Sequence, residues 1–185
     1  MTPSGAAMAE RTFPGSNGSM TTTTTLGAAT LVGATLATAM VAGLMFCFAH
    51  SVMPGLGTLE DRGFLATFQR IDAAISNPWM MLTFLGSPVL TVAALLVHLS
   101  GRSAAVPWLL AALVLVLATV LITGAVHLPL NAAIQDAAPA FPDAADLRSR
   151  FEDRWVRWNV IRTVTSTGAL AVLSWALFVT GRGAG

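Results

Sequence analysis

The amino-acid sequence predicts an all-α integral membrane protein: a four-helix bundle with an amphipathic helix in the 1–2 connection and another in the 3–4 connection. Three observations carry this expectation. Of 185 residues, 55% are hydrophobic and only 10% charged, against about 25% charged in soluble domains, and the mean hydropathy is +0.70. Four apolar runs each approach or exceed the about 20 residues needed to cross a bilayer as a helix. The two longer connections between runs carry apolar residues at helical spacing among charged ones. The expected organisation is a disordered N-terminal tail over residues 1–25, a four-helix transmembrane domain over 26–181 and a short C-terminal tail over 182–185.

Residues 1–25 are small and polar, ending in Thr21 to Thr25, a composition that cannot bury enough apolar surface to fold. Met8 and Met20 are alternative starts to Met1. The first run, Leu26 to about Val52, is too long for a signal-peptide core and reads as a retained span. Gly33-xxx-Ala37 and Ala39-xxx-Gly43 supply small-residue spacings that allow close helix packing. Met53-Pro-Gly-Leu-Gly57 is expected to end this helix. Phe64, Phe68, Ile71 and Ile75 then recur at helical spacing among Asp61, Arg62, Gln69 and Asp72, which predicts an amphipathic helix lying at the membrane interface.

Asn77-Pro78 opens the second run, which extends to about Leu99 and contains Gly86 and Pro88, so a kink is expected. Ser100-Gly-Arg-Ser103 is a tight hairpin into the third run, Ala104 to about Leu128. The second long connection holds Pro139 and Pro142, followed by a stripe of Leu147, Phe151, Trp155 and Trp158. That stripe is expected to run straight into the fourth span, which ends near Thr180. Seven of the ten arginines fall on the side of the two long connections. The excess places the connections in the cytoplasm and both termini outside, in what is expected to be a bacterial plasma membrane.

Composition excludes several function classes. A net charge of +1 gives no electrostatic case for nucleic acid. A lone cysteine, Cys47, allows neither an internal disulfide nor a thiolate metal site. There is no phosphate-binding glycine loop and no Ser-His-Asp signature. His50 and His127 with Glu60 or Asp61 would imitate a two-histidine, one-carboxylate iron site, but no local spacing supports it, and no metal or other cofactor is expected. Transport is disfavoured by the lack of an acidic residue inside a span.

Helix direction sorts the remaining polar residues. His50 and His127 end the first and third spans, Asn77 begins the second, and Asn159 and Arg162 begin the fourth; Asn131 follows His127 by one turn. With Trp155 and Trp158 they converge on one end of a four-helix bundle, while His98 lies at the other. Each has an ordinary structural explanation as well: Arg162 snorkelling to headgroups, the tryptophans as interfacial anchors, Asn77 as a helix cap, Asn159 bonding across helices.

Val52-Met-Pro-Gly-Leu56, Asn77-Pro78, Leu128-Pro-Leu-Asn131 and Trp155-x-x-Trp-Asn-x-x-Arg162, in this order at matching helix ends, resemble the anthrone oxygenase family of small four-helix membrane proteins. The resemblance covers roughly residues 27–180. It implies O₂-dependent oxidation of an anthrone-like polycyclic phenol to a quinone without a cofactor. His50 would be the base, with His127 as substitute. Arg162, Asn131 and Asn159 would hold the oxyanion, and Trp155, Trp158 and Phe64 would line a flat slot, with Asn77 at its edge. The partners expected are membrane lipid, an aromatic substrate and O₂. The sequence leaves open the substrate itself and the oligomeric state. The competing expectation is a non-catalytic bundle that binds a lipid or quinone-like ligand, or supports a membrane assembly.

Overall fold

A computed structural model describes residues 16–182, with side chains from residue 25. Residues 1–15 of the expected N-terminal tail and 183–185 of the C-terminal one lie outside the described residues. Among those described the fold is all-helical, and four helical stretches are long and apolar enough to cross a membrane: Thr25–Gly57, Pro78–Ser100, Val106–Ala137 and Ala144–Arg182.

Helix α1 (Ser16–Cys47) reaches back through the threonine run; once a helix is nucleated, each added residue contributes one hydrogen bond. It does not end at Met53-Pro54 as the sequence suggested. It passes through a π turn, Phe48–Val52, into α2 (Met53–Gly57) without a break. The Met53 N–H bonds back to Phe48, and Pro54, which has no N–H to give, comes next. Widening the turn moves aside the carbonyl that a proline would otherwise strike. The third span repeats the device. After α3 (Asp61–Ile75), α4 (Pro78–Ser100) and α5 (Val106–Ile122), a π turn at Thr123–His127 leads into α6 (Leu128–Ala137). There the Leu128 N–H bonds back to Thr123, and Pro129 follows. The third span therefore runs well past Leu128. Finally α7 (Ala144–Arg182) joins the second connection to the fourth span in one helix, as expected.

The four spans form a ring in which α1 packs on α4 and α7, and α5 on α4 and α7. At the hairpin end, Leu31, Ala34, Ala94, Leu95, Leu109, Ala112, Leu173 and Ala176 make a close core of interleaved leucines and alanines. Of the small-residue spacings, only the first serves packing. A Cβ on Gly33 would come within 3.3 Å of Leu90, whereas one on Gly43 would meet nothing. The α4–α5 hairpin closes with Arg102 at φ 50°. Its N–H bonds to Leu99 at 3.2 Å and that of Ser103 to His98 at 3.1 Å, the Schellman pattern that usually places glycine where Arg102 stands.

At the other end the amphipathic α3 turns its apolar face onto the bundle. Phe64, Leu65 and Phe68 are buried against Phe151, Trp155, Ile134 and Phe48, so α3 roofs the bundle. Arg148 of α7 pins it there. It donates to Leu59 O at 2.8 Å and Gly57 O at 3.1 Å, pairs with Asp61 and Glu152, and stacks 4.4 Å over Phe64.

Candidate functional site

Under this roof lies a cavity of about 370 Å³ between the spans, lined chiefly by apolar side chains such as Leu44, Phe68, Met80 and Phe84. Polar groups enter it at a few points: Asp72, Ser76, Thr123, His127, Asn131, Arg162 and the indole of Trp155. An apolar chamber with few convergent polar groups is the usual form of a small-molecule site.

The buried face of α7 runs Phe151, Trp155, Asn159, Arg162, Ser166 and onward at steps of three and four. That register carries Arg162 inward, 5% exposed, rather than toward headgroups. One of its terminal nitrogens donates to Asn159 Oδ1 at 2.9 Å and the other to Thr123 Oγ1 at 3.2 Å, in the second π turn. Asn159 is itself fixed by donating to Met45 O at 3.1 Å, just before the first π turn. Arg162 Nε makes no hydrogen bond, and among the described residues no carboxylate lies within ion-pairing distance of the guanidinium. A buried cation without a counter-ion is costly to keep; Arg162 lines the cavity and leaves part of its bonding capacity unused.

His127 lies beside it, 1% exposed, and neither ring nitrogen makes a hydrogen bond. Trp155 connects the two: its ring centroid is 5.1 Å from the His127 ring, edge to face, and 5.7 Å from Arg162 Cζ. Trp155 Nε1 donates to Asn131 Oδ1 at 2.9 Å, and Asn131 Nδ2 donates to Asp72 at 2.7 Å. Gln135 completes this polar edge, bonding Asp72 at 2.9 Å and exchanging bonds with Gln69.

A family model described as anthrone oxygenase matches residues 79–172, just over half of the chain. The chain belongs to the anthrone oxygenase family. The Leu128-Pro-Leu-Asn131 and Trp155-to-Arg162 segments fall inside the match, whereas Val52 to Leu56 and Asn77-Pro78 lie before it. No curated protein and no solved structure matches the chain.

Among the candidate residues of this anthrone oxygenase family member, Arg162, His127, Asn131 and Trp155 line one cavity, and Asn159 braces Arg162 from behind. His50 does not join them. Its ring is exposed on the outside of the first span, stacked on Phe46 at 4.3 Å with Nδ1 bonded to Phe46 O at 2.7 Å. The buried positions of α1 step through Leu31, Ala34, Thr38, Val41, Met45 and Phe48. His50 is about 200° around the helix from Phe48, on the opposite face. Asn77 caps α4, accepting from Met80 N at 3.0 Å and donating to Ala74 O, and is spent there. Phe64 is buried in the roof under Arg148, and Trp158 is half-buried; neither lines the cavity.

Phe68 and Asp72 line the cavity in place of Phe64. The signal for Asp72 was its spacing: Phe64, Phe68 and Asp72 are four apart, so a carboxylate ends the very stripe that roofs the bundle.

Proposed function

We propose that the cavity binds an anthrone-like polycyclic phenol and that the protein oxidises it with O₂ to a quinone. The observation that carries this reading is the pairing, on one wall of an apolar chamber, of a buried guanidinium lacking a carboxylate partner with a buried imidazole lacking a well-formed hydrogen bond. An anthrone offers the complementary set: a flat apolar body, an acidic CH₂ and a carbonyl across the ring from it.

His127 takes a proton from the CH₂, and the electron pair delocalises onto the carbonyl oxygen, where Arg162 stabilises the charge. The electron-rich anion reduces O₂ by one electron. Recombination of superoxide with the carbon radical gives a peroxide anion, which is protonated by the imidazolium of His127. Loss of water from the hydroperoxide leaves a second carbonyl, so anthrone plus O₂ gives anthraquinone plus water, with no other oxidant or cofactor consumed. Trp155 supplies a flat wall against which the ring system stacks.

The competing reading, a bundle that only binds a lipid or quinone-like ligand or serves an assembly, is favoured by the spending of Asn159 and part of Arg162 on bonds between helices. Under it His127 would at most donate a hydrogen bond to a bound carbonyl, so turnover separates the two readings. Membranes carrying the protein should consume O₂ and an anthrone in equal amounts, with quinone appearing at the same rate. Absence of turnover in membranes that retain the inserted protein sinks the reading.

We further propose, from the arginine excess on the connection side, that the roofed end faces the cytoplasm of a bacterial cell and both termini face outside. A reporter that works only in the cytoplasm, fused at the C-terminus, is expected to be silent; activity reverses the assignment.

A further inference from the structure

α3 covers the cavity above and the alanine–leucine core bounds it below, yet five of its lining residues are themselves exposed. Ser76 lies at the end of α3; the other four are Met81 and Leu85 on α4, and Gly124 and Leu128 at the second π turn. These four sit on two neighbouring spans and flank one gap. The reason lies in α4. Its buried residues are Ser87, Thr91, Ala94, Leu95 and His98, and none precedes Ser87. The half of α4 before Ser87 stands off the bundle while the other half is held by the core and the hairpin. Gly86 and Pro88 mark the division. Pro88 cannot bond back to Phe84, and a Cβ on Gly86 would meet nothing.

The depth of the gap follows from Trp79, 78% exposed at the start of α4, where an indole sits at the membrane interface. Leu85 is six residues further along, about 9 Å deeper at 1.5 Å per residue. The gap therefore faces acyl chains rather than water. Met80 and Met81 on its α4 side are flexible side chains that adapt to ligand shape.

We propose that the gap between α4 and the second π turn is a lateral portal, through which an uncharged, flat aromatic molecule dissolved in the bilayer reaches Arg162 and His127. This rests on the reading that the cavity takes an aromatic ligand, but not on turnover. Gly124 is the residue that keeps the portal open: it lines the cavity, faces outward, and a Cβ there would meet nothing within 4 Å. A large side chain at that position can occupy the mouth without displacing the core.

The test uses benzophenone, a lipid-soluble, uncharged diaryl ketone that on irradiation inserts into nearby C–H bonds and favours methionine. The full chain in lipid vesicles is irradiated with benzophenone in the bilayer, and adducts are located by mass spectrometry. Met45 lines the cavity and is 5% exposed, whereas Met40, 62% exposed on the same helix, reports on lipid outside. In wild type both are expected to be labelled. In Gly124→Trp, and separately in Leu85→Trp from the opposite lip, the Met45 adduct should be lost while the Met40 adduct persists. A wild type labelled at Met40 and not at Met45 overturns the portal, as do plugged variants whose Met45 labelling is unchanged. Because no oxidation is measured, labelling as expected in a protein that turns over no anthrone would leave the portal standing and remove the assigned reaction alone.

Discussion

Arg162→Leu is expected to lower O₂-dependent anthrone conversion by about 10²–10³-fold, the cost of losing one aligned donor to a developing oxyanion. Arg162→Lys should fall between this variant and wild type. The guanidinium divides its work: its two terminal nitrogens hold Asn159 and Thr123, and Nε is left free. Lysine keeps a positive charge but cannot bond both neighbours in a plane while still presenting a donor to a ligand. Turnover is compared per inserted protein, because Leu also leaves Asn159 Oδ1 without its donor inside the bundle, where an unsatisfied group costs about 1–3 kcal/mol. If Arg162→Lys and Arg162→Leu both turn over at the wild-type rate, the residue is a brace between the second π turn and α7, and the oxyanion site lies elsewhere.

His127→Phe separates catalysis from structure in the opposite direction. Removing the base should reduce turnover by about 10²–10⁴-fold. Phenylalanine keeps the ring against Trp155, now 5.1 Å away edge to face. It also deletes two buried nitrogens that lack a well-formed hydrogen bond, so it should raise stability, with about 1–3 kcal/mol as the range for relieving an unsatisfied buried group. An inactive variant with a higher unfolding temperature is the expected outcome. A histidine retained for packing predicts the reverse: an active protein of lower stability. Full activity in His127→Phe would leave the cavity without a base, because Asp72 is already held by Asn131 and Gln135.

The π turns account for much of how these residues meet. A residue inserted into a turn shifts everything beyond it around the helix, and here each shift comes directly before a proline. Without an N–H, that proline could not have continued the ladder. The first turn lies just beyond Met45, whose carbonyl anchors Asn159; the second contains both Thr123, which anchors Arg162, and His127. Such turns recur at functional sites in helices. Here they join α1 and α5 to the polar face of α7.

The membrane class, the four spans and the end at which polar residues gather were legible in the sequence, because they depend on local quantities. Hydropathy over about 20 residues decides insertion, and direction along a helix decides at which end of the bundle a residue falls. The inward step of Arg162 and Asn159 was also local, since both lie on the three-and-four spacing set by Phe151 and Trp155. What separated His127 from His50 was not local. Both sit in π turns near proline at the same end of the bundle, and only the packing of α1 against α4 and α7 turns one outward onto Phe46 while the other faces the cavity. Likewise, proline and glycine after Val52 signal a helix end in isolation; a widened turn absorbs them only because Met53 and Leu56 have a roof to pack against. Asp72 came to line the cavity through the docking of α3 by Arg148, a contact between residues far apart in the chain. Side chains at such separations meet only when the spans close into a ring, and the same closure leaves the first half of α4 standing away from the cavity it borders.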